Sequence, residues 1–187
     1  MNTPRTTDLR QAADKTPRTI LYTGKFLELV KEGHWEYAWR PKATGAAAIV
    51  AVTEERKILL VEQYRIPVHA RTIELPAGII GDEPGHQEET HREAAHRELL
   101  EETGYDAGEI AVLTHGPPSA GLASECVTLF HATKLRRVGV GGGVAHEDIM
   151  VHEVPLAEVH DWLEARAKVG WLVDPKVYAG LYFVARS

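Results

Sequence analysis

Three glutamates, Glu98, Glu101 and Glu102, lie close together with Arg97 directly before them, in the run Arg97-Glu98-Leu99-Leu100-Glu101-Glu102. Wound into a helix, Glu98 and Glu102 stack on one face with Glu101 beside them. Like charges at that spacing repel, so a helix built only for stability would avoid them. Three carboxylates on one rigid face suit a hard divalent cation such as Mg²⁺, which takes oxygen ligands near-octahedrally and bridges readily to phosphates. Arg97 can pair with a neighbouring carboxylate and fix its rotamer. The alternative is a solvated acidic helix face, the usual meaning of a charge run.

The surrounding residues decide between the two. Arg-Glu-Leu-x-Glu-Glu-x-Gly runs from Arg97 to Gly104, Glu89 stands eight residues before Arg97, and Pro76-Ala77-Gly78 lies upstream. This ordered set resembles the Nudix box of the Nudix hydrolases. The resemblance implies a loop–helix–loop unit whose glutamates bind Mg²⁺ or Mn²⁺, and hydrolysis of a nucleoside diphosphate linked to another group. There is one departure. The family pattern places its first glycine six residues before the first glutamate, whereas Gly78 to Glu89 is eleven. The difference reads as a five-residue insertion in 79–88, whose Gly81, Pro84 and Gly85 are turn residues that suit a longer surface loop.

Composition bounds the rest. A chain of 187 residues, 44% hydrophobic, suits one domain with an extension. The single cysteine, Cys126, excludes an internal disulfide framework and fits a reducing cytoplasm; in an apolar run it reads as a packing residue. No stretch approaches the roughly 20 apolar residues of a membrane span. The polar start lacks the apolar centre of a signal peptide. A net charge of −6 argues against nucleic acid as the main partner.

The positioning elements follow from patterning. Residues 1–18 read as a mobile lead-in, and 19–42 as a strand hairpin with a turn at Glu32-Gly33 and alternation over Phe26–Val30 and Trp35–Trp39. Strands are expected over Gly45–Val52, Lys57–Tyr64, Arg71–Pro76, Glu109–His115, Cys126–Lys134 and Asp148–Pro155. The box helix is expected from about Glu89 to Thr103, with Gly104 as its cap. Gly139–His146 is a glycine-rich loop, not followed by Lys-Ser/Thr and so no P-loop. Helices are expected over 155–168 and about Pro175–Ala185. The fold class is therefore α/β, a mixed-sheet α/β/α sandwich over 43–187 with an N-terminal strand extension.

Outside the box, Glu62-Gln63-Tyr64-Arg65, Glu74-Leu75-Pro76-Ala77-Gly78, the loop Ser119–Glu125 and Glu147-Asp148-Ile149 resemble the ADP-ribose pyrophosphatase branch of the Nudix family. That resemblance implies a metal held by Glu98, Glu101, Glu102 and the carbonyl of Ala77. It implies Glu147, with Glu101 and Arg97, as the catalytic set; for Glu147 a plain surface carboxylate is the alternative. Arg65 matches an arginine that reaches the diphosphate or ribose, an ion pair with Glu74 or with the box being the alternative. Trp35 and Arg40 match an aromatic and a basic contact that relatives bring from a partner subunit, which implies a homodimer; Trp35 as a core anchor is the alternative. Ile79 and Gly121 complete the substrate-lining set. Relatives preferring ADP-ribose carry a proline sixteen residues after the glycine closing the box, a position held here by Ala120. The expected substrate is ADP-ribose, with GDP-mannose or another nucleoside diphosphate sugar as the alternative. A non-catalytic nucleotide-sensing domain is the competing class.

Overall fold

The computed structural model describes residues 16–81, 85–143 and 148–186. In chain order come strands β1 (Arg18–Thr23), β2 (Glu28–Glu32), β3 (Trp35–Trp39), β4 (Gly45–Ala51), β5 (Lys57–Arg65), β6 (Ala70–Glu74) and β7 (Ala77–Ile80). Helix α1 (His91–Thr103) follows, then β8 (Tyr105–Gly116), β9 (Val127–Arg137), β10 (Met150–Pro155), α2 (Val159–Lys168), β11 (Leu172–Val173) and α3 (Pro175–Val184).

Strand β4 explains the layering, because all seven of its residues are buried. Strand alternation sends Ala48 and Val50 to one side and Ala47, Ile49 and Ala51 to the other. The first pair packs with Ile58, Leu60, Val159, Leu163 and Val177, so α2 and α3 cover that side. The second set packs with Leu59, Ala94, Ala95, Leu99 and Phe130, so α1 covers the opposite side. The expected α/β/α sandwich is therefore present. Truncating Leu99, which is fully buried, to alanine would cost about 2–5 kcal/mol.

Two four-stranded sheets form the middle layer, in the orders β7-β4-β9-β8 and β10-β5-β6-β11. Both are mixed: β4 with β9 and β6 with β11 are parallel, and the other pairings are antiparallel. Strands β7 and β11 were not expected from the sequence. They are short, and Leu172–Val173 spans a single ladder step.

The N-terminal extension is a three-stranded antiparallel sheet, β1-β2-β3, rather than a two-stranded hairpin. Arg18, expected in the lead-in, already belongs to β1. Gly33 supplies the left-handed turn between β2 and β3, with φ of 62°. No helix among the described residues is long and apolar enough to cross a membrane.

Candidate active site

Helix α1 starts at His91, two residues later than about Glu89, because Thr90 caps it. The Thr90 side chain accepts from the Glu93 N–H at 3.3 Å, and the Glu93 carboxylate accepts from the Thr90 N–H at 2.8 Å. This reciprocal pair satisfies two otherwise orphaned donors. The helix ends at Gly104 in a left-handed conformation (φ 74°), as the sequence implied. Ala94, Ala95 and Leu99 face the core, which turns Glu98 and Glu101 toward an open cleft of about 350 Å³.

Arg97 is the centre of the acidic face. Its Nη1 donates to Glu98 Oε1 at 2.9 Å and Glu101 Oε2 at 3.1 Å. Its Nε and Nη2 each donate to Glu89 at 3.1 Å, so Glu89 keeps its place beside the helix despite the longer loop before it. Burial opposes the charge on Arg97, but the hydrogen bonds to Glu89 and the charges of Glu98, Glu89 and Glu101 outweigh it. Its pKa is held above the ordinary arginine value. Glu102 is buried, and its Oε2 accepts the Ala77 N–H at 3.0 Å. Glu98 lies directly on Gly78, where an added Cβ would come within 1.9 Å of its carboxyl carbon. A side chain at 78 would push that carboxylate off the strand.

A hard divalent cation would find a donor set of the right chemistry here, since the contributing atoms are carboxylate and carbonyl oxygens. Among the described residues, no three acidic, imidazole or thiol groups are gathered as a metal cluster. Arg97 draws Glu98 and Glu101 to itself, and the Ala77 amide draws Glu102.

The facing wall carries arginines. Arg65 makes a two-pronged pair with Glu74, from Nε at 2.7 Å and Nη2 at 2.8 Å, and also lines the cleft. Burial raises the Glu74 carboxyl, but the hydrogen bonds from Arg65 and Thr72 and the charges of Arg65 and Lys176 pull it below the usual range. Arg40 reaches the cleft from the residue after β3 and pairs with Glu125 at 3.3 Å. Ala77 and Ile79 line the floor.

Not every expected residue joins them. Trp35 is 53% exposed, so it is no core anchor, and it lines neither of the cavities described here; its ring lies near His34. Gly121 sits in the Ser119–Glu125 loop, but Pro118 and Glu125 are the members of that region that line the cleft. Glu147 lies outside the described residues. Lys176, at the start of α3, lines the cleft and had no signal beyond the Asp174-Pro175 helix start.

A larger cavity of about 620 Å³ adjoins the cleft, sharing Arg40 and Glu125 with it. Trp39, stacked under the Arg18 guanidinium at 3.6 Å, lines it. His91 and His115 approach the Thr128 hydroxyl through Nδ1 at 3.1 and 3.0 Å. Cys126 is half-buried and opens onto this space, rather than being fully packed away.

The carboxylate helix over Gly78, closed by an arginine-bearing wall, is the arrangement of a Nudix domain, and the NUDIX domain model matches residues 42–171. The chain belongs to that family. It is 34% identical over 125 residues to the methanol dehydrogenase activator of Bacillus methanolicus, covering 65% of this chain and 64% of that one. To the ADP-ribose pyrophosphatase of Bacillus subtilis it is 42% identical over 96 residues, 50% of this chain and 48% of that one. To the GDP-mannose pyrophosphatase of Citrobacter koseri it is 30% identical over 155 residues, 78% and 75%. The match thus spans under two thirds of the first two relatives. Among solved structures, an ADP compounds hydrolase shares the fold, with a TM-score of 0.63 at 21% identity over 79% of this chain and 80% of that one.

Proposed function

We propose that the chain hydrolyses the diphosphate bond of ADP-ribose or a similar nucleoside diphosphate sugar, releasing a nucleoside monophosphate and a sugar phosphate. The observation that carries this reading is the cleft itself, with a carboxylate wall on α1 facing arginines 40 and 65. Glu98, Glu101, Glu102 and the Ala77 carbonyl would hold Mg²⁺ or Mn²⁺. When bound, such an ion neutralises phosphate charge and lowers the pKa of a water in its shell.

The chain's own groups do the rest. Arg97 holds Glu98 and Glu101 in place, so their oxygens need not reorganise when charge develops. The Glu74 grip fixes the plane of the Arg65 guanidinium, which suits phosphate or ribose oxygens. Arg40 serves the same wall. Ile79 supplies an apolar edge. Trp35 and Gly121 serve the base and the loop around it, Trp35 across a homodimer. The exposed apolar residues of β1 and the β1–β2 turn, Ile20, Tyr22 and Phe26, give that second copy a surface. Glu147 is the proposed water-orienting base, with Glu101 and Arg97 beside it in role.

GDP-mannose is the second reading, favoured by Ala120 in the place of the substrate-marking proline and by the Citrobacter koseri relative. The test is incubation with Mg²⁺ and separate nucleoside diphosphate sugars, with products separated by chromatography. AMP and ribose 5-phosphate from ADP-ribose are expected. GMP and mannose 1-phosphate as the only products would move the substrate, and tight binding without turnover of any compound would overturn hydrolysis.

A further inference from the structure

Helix α1 ends with carbonyls that its own backbone cannot satisfy. Gly104 takes care of Leu100, donating its N–H at 2.9 Å. The next two carbonyls belong to Glu101 and Glu102, and a distant segment supplies their donors. Gly142 N–H donates to the Glu102 carbonyl at 2.8 Å and Gly143 N–H to the Glu101 carbonyl at 3.1 Å. The same segment is pinned one step earlier, where Val138 and Gly139 both donate to the Gly104 carbonyl, at 2.8 and 3.0 Å.

Glycine is required for this contact on two grounds. Gly141, Gly142 and Gly143 have φ of 69°, 107° and 77°, a run of left-handed backbone that side chains resist. A Cβ on Gly141 would lie 2.4 Å from the Thr103 carbonyl carbon and 2.6 Å from the Glu102 carbonyl oxygen, both backbone atoms with nowhere to go. Successive amides turned toward the negative end of a helix also offset its dipole.

We propose that Gly139–Gly143 is a backbone strap that positions the carboxylates of Glu101 and Glu102 for the cleft, with Gly141 as its key positioning residue. For its catalytic meaning this rests on the proposed function. The strap fixes the φ/ψ of the last helical turn, and the last turn fixes where those two side chains leave the helix. Glu102 reports the result at another element, because its carboxylate holds the Ala77 amide of β7.

The test is hydrogen exchange at single amides, measured by NMR on the full chain without metal. Gly141→Ala should speed exchange of the Ala77 amide roughly tenfold, because the Glu102 carboxylate loses its fixed position. Gly142→Ala, strained in backbone but meeting nothing closer than 3.8 Å, should give a smaller increase, and decides the question if Gly141→Ala does not fold. Gly170→Ala carries the same conformational strain (φ 89°) in open space after α2 and should leave Ala77 unchanged. Unchanged Ala77 exchange in both strap variants, or an equal rise in Gly170→Ala, overturns the proposal. In turnover assays, Gly141→Ala should lower kcat and leave KM alone. A wild-type chain that hydrolyses nothing would refute the function while the Ala77 readout still judges the strap.

Discussion

The two walls of the cleft are built on opposite plans. Among the described residues, three carboxylates surround one arginine at α1, with Arg97 held by Glu98 and Glu101 of the helix and by Glu89 just before its cap. On the facing side, among the described residues, Arg65 is held by Glu74 and Arg40 by Glu125. The first plan concentrates negative oxygens where a cation can be met. The second fixes guanidinium groups where phosphate or ribose oxygens can be met, while the local charge stays near balance. The arginines differ in depth, since the Arg97 side chain is 13% exposed and those of Arg65 and Arg40 are 45% and 38% exposed. Perturbing the acidic wall should therefore strike both chemistry and stability, whereas perturbing the arginine wall should strike affinity.

The sharpest break is Glu102→Gln. It should fold and keep ligand affinity while losing nearly all metal-dependent turnover, on the order of 10³-fold. Near-normal kcat in a steady-state assay would remove Glu102 from the metal set. Next comes Arg97→Gln, which leaves three carboxylates without their shared cation and should destabilise the fold by about 3 kcal/mol. Calorimetry checks this, and added Mg²⁺ should restore part of the lost Tm; a Tm equal to wild type would mean the cluster is not coupled through Arg97.

The arginine wall gives smaller effects. Arg65→Ala should raise KM roughly tenfold, about 1.4 kcal/mol, with kcat little changed, as read from initial rates over a substrate series. A fall in kcat with unchanged KM would place Arg65 in the transition state instead. The smallest expected effect is the pH response of Glu74→Gln. A carboxylate held below its unfolded value adds stability above about pH 4.3, and that stability is lost as pH falls through the folded value. The wild-type Tm should thus drop more steeply than the variant's on acidification below that point, and parallel curves would show the Arg65–Glu74 pair to be neutral.

How much of this was legible depended on whether the deciding contacts were local. The box helix was read to within two residues, because its charge spacing and Gly104 all lie inside the helix itself. The buried strands β4 and β5 announced themselves as apolar runs. Strand β7 did not, since Ala77–Ile80 is four residues whose role comes from pairing with β4 and touching Glu98. The Arg65–Glu74 pair was weighed because both residues sit in adjacent strands, whereas Arg40–Glu125 joins segments far apart in the chain. Lys176 and the closure of α1 by Gly139–Gly143 are equally nonlocal, and glycine content alone said only that the segment could turn.

The link between β3 and the Ser119–Glu125 loop has a mechanical consequence. Ala38 donates its N–H to Leu122 and accepts from Ser124, at 2.8 and 3.1 Å, two residues ahead of Arg40. That clasp, with the Arg40–Glu125 pair, ties the loop to the strand end that carries Arg40 over the cleft. Insertions or deletions between Ser119 and Ser124 would retune the gape of the cleft while the acidic helix, anchored elsewhere, stayed where it is.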